Sequence, residues 1–208
     1  MDNKKINEAM MILEKSKPAC TIKITICSML GNEAGNKVWK NAAVKLSEIQ
    51  SRYSGFSKGE QTHTDGIFNA SALYLALKKY SPDKALEIME KGMAVYAKET
   101  AKVFQNMVRI PFGKTIFLKG FAFGAKKMFG ETAGFKQQFH HSDSSSLRFD
   151  VLECPYVKHT TELGCPEIAH IFCDNDIYAY GYLDGIKFER TQTLGRNGDK
   201  CDFYLYRS

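Results

Sequence analysis

Nowhere in the 208-residue chain do the ~18 uninterrupted apolar residues of a membrane-spanning helix occur. The opening MDNKKINEAM has no long apolar core leading to a small-residue cleavage site. Both absences set the expectation of a cytoplasmic protein without a membrane span, whose six cysteines are thiols. There is no C-x-x-C pair and no H-E-x-x-H, the short-range spacings common in zinc sites. Likewise missing are the G-x-S-x-G elbow, the G-x-x-x-x-G-K-[ST] phosphate loop and the G-x-G-x-x-G fingerprint, so a nucleotide-driven reaction is not expected. The net charge of +6 is spread over single or paired lysines such as Lys78-Lys79 and Lys126-Lys127, with no basic run interleaved with stacking aromatics. That pattern reads as a solvated surface, and no nucleic-acid partner is expected.

What is present suits a globular chain: 44% hydrophobic, 25% charged and 12% aromatic residues. The pattern predicts α+β architecture in one domain spanning 1–208, mainly helical over 1–130 and then a mostly antiparallel sheet over 135–208 that carries one short helix. Helices are predicted at Asn3–Lys15, from about Glu33 to Tyr53, from Asp65 to Tyr80, and from Asp83 until Pro111, where apolar residues recur every three or four positions. Thr21–Leu30 stays ambiguous, because its β-branched run favours a strand while its neighbours favour a helix. The Phe-rich, lysine-punctuated stretch from Pro111 to Gly130 reads chiefly as core packing, with a membrane-surface helix or a docking face as the other readings.

Strands are predicted at Phe135–His140, Leu147–Val157, Ile177–Leu183, Ile186–Leu194 and Cys201–Tyr206, with a short helix from Pro166 to about Cys173. Asp184-Gly185 and Gly195–Asp199 read as hairpin turns, and His140-His141 as a solvated hairpin end.

Four cysteines fall in the last third, each beside acidic or polar residues: Glu153-Cys154-Pro155, Cys165-Pro166-Glu167, Cys173-Asp174-Asn175-Asp176 and Cys201-Asp202-Phe203. Structural cysteines usually sit among apolar neighbours, so this placement points to a working site. On a helix ending near Asp174, Cys173 lies at the border of two faces, where Arg190 or His170 would lower its pKa and the helix C-terminus would oppose that. The bland alternatives are a packed cysteine at 173, Arg190 paired with Glu189 or Asp202, and Asp176 capping a turn.

Cys154-Pro155-Tyr156, Gly164, Pro166-Glu167, Phe172-Cys173, Asp176, Phe188-Glu189-Arg190, Thr193-Leu194, Gly198-Asp199 and Cys201-Asp202-Phe203 follow one another in an order and spacing that resemble the L-2-amino-thiazoline-4-carboxylic acid hydrolase family. The resemblance implies a hydrolase opening a cyclic amidine-type C–N bond, as in conversion of L-2-amino-thiazoline-4-carboxylate to N-carbamoyl-L-cysteine, with no cofactor. Such chemistry asks for a nucleophile or activated water, a proton donor to the leaving nitrogen and a cation for the carboxylate. Cys173 or Cys154, with Cys201 beside them, supplies the nucleophile in this reading, and Asp176 or Asp202 carries the proton. Arg190 clamps the carboxylate, and Asp202 and Glu167 are further substrate contacts. The expected partner is a small-molecule substrate, with a homodimer left open. The ending Thr193 to Phe203 is also similar to the close of 4-vinyl-reductase-like sensing domains, which implies the alternative of a non-catalytic ligand-binding module, with zinc left open because Thr193 stands where those domains often place a second cysteine.

Overall fold

A computed structural model describes residues 3–53 and 55–208. Its described residues form eight α-helices and one four-stranded antiparallel sheet, the α+β arrangement expected. The helices of the first half are α1 (Asn3–Lys15), α2 (Lys17–Leu30), α3 (Asn32–Arg52), α4 (Lys58–Tyr80), α5 (Pro82–Arg109) and α6 (Gly113–Met128). They are followed by β1 (Lys136–Ser142), β2 (Ser146–Glu153), α7 (Pro155–Glu162), α8 (Ala169–Tyr180), β3 (Ile186–Glu189) and β4 (Cys201–Arg207). Strand order is β1-β2-β4-β3, with Leu147, Phe149 and Val151 opposite Leu205, Phe203 and Cys201.

The ambiguous stretch is helix: α2 is capped by the Ser16 hydroxyl, carries Pro18 in its first turn and buries Ile22 and Ile26 against the other helices. α4 starts about two turns before the predicted point, because Ser57 and Glu60 close a reciprocal capping box. That extension brings His63 onto the buried stripe that continues through Ile67 and Ala70.

Three strand predictions and one turn in the second half change. Pro155 cannot donate to a ladder and sits in the first turn of α7, so β2 stops at Glu153 and does not run to Val157. The short helix expected to end near Cys173 continues to Tyr180, replacing the predicted strand at Ile177–Leu183: α8 packs along α5, and Asp174 and Asp176 are tied to Arg196 and Arg190. Asp184-Gly185 therefore joins a helix to β3 and is no hairpin turn; Gly185 takes φ of +69°, a conformation that suits glycine. β3 ends at Glu189 rather than Leu194, because Arg190 turns inward and the Thr191 and Gln192 N–H groups donate to the Asp202 carboxylate.

α6 lies across one face of the sheet. Phe117, Leu118, Ala122 and Ala125 are buried in the two clusters that contain Leu205 and Phe149. Its other side is open: Phe112 is 85% and Phe123 72% exposed, so the Phe-rich stretch is half core and half surface. His140 and His141 donate from Nε2 to the Asp150 and Asp143 carboxylates at 2.9 and 3.0 Å.

Two glycines give opposite expectations. A Cβ on Gly92 would meet the Cα of Ile22 at 2.8 Å, so Gly92→Ala must push α2 from α5 and should lower stability by about 1–3 kcal/mol. Gly120, in α6, has nothing within 4 Å of that position, and Gly120→Ala should add about 0.5–1 kcal/mol. Urea unfolding of the two variants checks both signs.

Candidate active site

Three of the four late cysteines converge. Cys201 opens β4 opposite Val151, on the sheet face that holds Leu147 and Phe149. Cys154 ends the segment after β2, and Cys173, Asp176 and Tyr180 share one side of α8 by helical spacing. These five side chains, with Tyr156, line one cavity of about 370 Å³ between the sheet, α4, α5 and α8. Cys165 is buried elsewhere, in the helical core.

The three thiols differ electrically. The Cys173 sulfur stands beside the Cys201 thiol and the Gly195 N–H, which favour its anion, and feels the nearby Arg190 guanidinium. Together these outweigh burial and hold Cys173 below the ordinary thiol range. Cys201 is the donor in that contact, so its own pKa rises, and the Leu194 N–H reaching its sulfur at 3.3 Å offsets only part of this. Burial pushes Cys154 up to about 12 despite the N–H groups of Tyr156 and Val157 at the start of α7. Helix continuation through Cys173 removes the opposing C-terminal dipole expected for a helix ending there. His170 contributes nothing, being bonded to Glu90 at 2.9 Å.

Gly195 makes the contact with Cys173 sterically feasible. A Cβ there would sit 2.8 Å from the sulfur and 3.1 Å from the Ala169 carbonyl oxygen, so the backbone reaches the thiolate only without a side chain.

Arg190 stands behind the cavity wall. Its Nη1 donates to Asp176 Oδ2 at 2.8 Å and its Nη2 to the Cys173 carbonyl at 2.9 Å, while the guanidinium lies 5.6 Å from the Phe188 and Phe203 ring centres. Its side chain is 5% exposed. Asp176 therefore stays close to a cation, yet burial and the neighbouring Cys173 raise its pKa to about 7. Near neutrality it is present both as acid and as carboxylate.

The other expected substrate contacts lie apart from this cavity. Asp202 is folded back on Thr191 and Gln192, with its Oδ2 accepting from the Thr191 hydroxyl at 2.6 Å. Glu167 accepts from Tyr74 at 2.6 Å and pairs with Lys78 on the helical side. Conversely, the cavity includes His63 from α4, which no motif marks. Its Nε2–H donates to the Met128 carbonyl at 2.7 Å, leaving Nδ1 to accept from the Tyr156 hydroxyl at 2.9 Å, and burial lowers its pKa and so favours the neutral ring. The one signal for it is position: His63 falls four residues before Ile67, on the core stripe of α4. Among the described residues, no three His, Cys, Asp or Glu side chains come together as a metal site.

Alkylation by iodoacetamide, followed by peptide mass spectrometry as pH is varied, should modify Cys173 with an apparent pKa well below that of a free cysteine thiol in solution. Gly195→Ala should move the Cys173 value upward, towards an ordinary thiol, in the same assay. A second expectation concerns Asp176. Its folded pKa of about 7 lies above the ordinary 3.8, so between these values the folded state holds more protons than the unfolded one. Stability contributed by this group is present below about pH 4 and falls as pH rises through 7. Asp176→Asn should flatten that slope in denaturant titrations run across the window.

Residues 62–205 match the model of a family described as L-2-amino-thiazoline-4-carboxylic acid hydrolase. No curated protein matches the chain.

Proposed function

The chain belongs to the L-2-amino-thiazoline-4-carboxylic acid hydrolase family, and we propose that it hydrolyses the ring of a cyclic amidine of the 2-amino-thiazoline type with Cys173 as nucleophile. The observation that carries this reading is the convergence of Cys173 and Asp176 on one cavity, with Arg190 bonded to Asp176 and to the Cys173 carbonyl behind them, an arrangement that favours the Cys173 thiolate and a protonated Asp176.

Atom balance refines the expected bond. N-carbamoyl-cysteine retains both nitrogens of the amidine and carries a free thiol, so the ring bond that breaks is the one from C2 to sulfur, not a C–N bond. In the proposed sequence the Cys173 thiolate adds to C2 of the protonated amidine. The tetrahedral adduct expels the ring sulfur, which takes a proton from Asp176, and leaves an S-linked isothiouronium on Cys173. Water then adds to the same carbon as the Asp176 carboxylate accepts its proton. The C–Sγ bond breaks, Cys173 returns as a thiolate, the hydroxyl proton goes to solvent and a mercapto-urea departs. Both steps use Asp176 in alternate protonation states, which suits a group titrating near 7.

Arg190 keeps Asp176 from rising further and lowers Cys173, and it acts as a positioning residue bonded to Asp176 Oδ2 and to the Cys173 carbonyl, not to the Cys173 sulfur. The Cys201 thiol and the Gly195 N–H are the donors that retain the thiolate between turnovers. A binding module without catalysis is the competing reading, and it would occupy the same cavity.

Purified protein incubated with 2-amino-2-thiazoline should release the ring-opened mercapto-urea, read by mass spectrometry. Cys173→Ala should lose at least about 10³-fold of the rate, the scale of removing a covalent nucleophile or its equivalent. An acid quench of the wild type should trap a Cys173 peptide heavier by the mass of the isothiouronium adduct. Full turnover by folded Cys173→Ala would reject the nucleophile, and binding without turnover would favour the sensory module.

A further inference from the structure

We infer that the substrate of this chain is a cyclic amidinium cation bearing an apolar, ring-sized substituent, and not one bearing a carboxylate. The inference rests on the proposed hydrolase reading and narrows its substrate class. Its basis is the lining of the cavity. No lysine or arginine is among the described residues that line it, and Arg190 is spent on Asp176 and the Cys173 carbonyl from behind the wall. His63, the remaining basic side chain on the lining, has both ring nitrogens engaged.

The charges that do face the cavity are negative, namely the Cys173 thiolate and the ionised fraction of Asp176. A substrate carboxylate would be desolvated beside these groups with no cation to receive it, an arrangement that costs heavily. A protonated amidine meets the opposite situation. Its delocalised cation faces two groups able to hold negative charge and the rings of Tyr96, Tyr156, Tyr180 and Phe172, whose faces attract a planar cation.

The remaining wall is apolar. Met128, Phe129, Phe135, Phe149 and Val151 carry no strong donor or acceptor on their side chains, and burial of apolar surface against them is the available source of binding energy. Thr62 and His63 are the polar residues on the α4 side, and on α8 Asn175 joins Cys173 and Asp176 with a buried Oδ1 that has no hydrogen-bond partner among the described residues. That oxygen is an unused acceptor suited to the N–H groups of an amidinium. The cavity thus has a pole for the amidine and a wall for an apolar group, and lacks a place for an anion.

Three compounds separate the possibilities: 2-amino-2-thiazoline, its 4-carboxylate and its 4-phenyl derivative, each assayed with the wild-type full chain for mercapto-urea formation. The expected order of kcat/KM is phenyl, then unsubstituted, then carboxylate, with at least about 100-fold between the first and last. A carboxylate turned over as well as or better than the phenyl compound overturns the inference and leaves the hydrolase reading intact. If none of the three is opened, the hydrolase reading fails, and calorimetric binding decides the cavity's preference by itself. Tighter binding of the phenyl compound than of the carboxylate then upholds the charge argument, and the reverse order overturns it.

Discussion

The Arg190 guanidinium joins the two parts of the molecule from which the cavity is made. It leaves β3, enters the space under α8 and donates to Asp176 and to the carbonyl of Cys173, two groups one helical turn apart. A buried charge of this kind is tolerable only because its donors are met, and removal of one partner from such a pair typically costs about 3–5 kcal/mol. The same contacts determine chemistry: the cation holds Cys173 down and limits how far burial raises Asp176. Two acids on one helix face thereby acquire opposed tendencies, the thiol towards its anion and the carboxyl towards its neutral form. They are kept apart by environment, not by residue type.

Around this pair the sheet and the helices contribute unequal things. β2 and β4 supply a rigid face on which Val151 and Cys201 are register partners, and α6 seals the other part of that face with Phe117, Leu118 and Ala122. α4 and α5 add His63 and Tyr96 from the first half of the chain. The Cys173 thiol is thus bordered by residues far apart in sequence, and its lowered pKa depends on a turn, Thr193 to Gly195, that belongs to neither a long helix nor a strand.

Much of this was legible from residue order. Helical periodicity located α1, α3 and α5, alternation located β2, and the clustering of cysteines beside polar residues pointed to Cys154, Cys173 and Cys201, which do share a cavity. Errors arose where tertiary contacts outweighed local preference. Ile177, Tyr178 and Tyr180 have the composition of a strand, but packing on α5 and the anchored aspartates keep them helical. Charge partners were less accessible still. Arg190 offered a cation for a carboxylate, and Asp202 and Glu167 offered further charged substrate contacts, yet each has found a protein partner that no local pattern specifies: Asp176, the Thr191–Gln192 backbone, and Tyr74 with Lys78. His63 is the converse case, a polar residue at a core position with no motif around it.

The space above Gly195 separates two properties that are easily taken as one, the presence of a cysteine at 173 and its acidity. A single methyl group at 195 would stand 2.8 Å from the sulfur and force either the backbone or the thiol to move. A descendant sequence could therefore keep every cysteine, its fold and its cavity, and become an inert receptor through one small substitution in a loop. Catalyst and receptor would then differ by the volume of a carbon atom, a divergence that an inventory of reactive side chains would not detect.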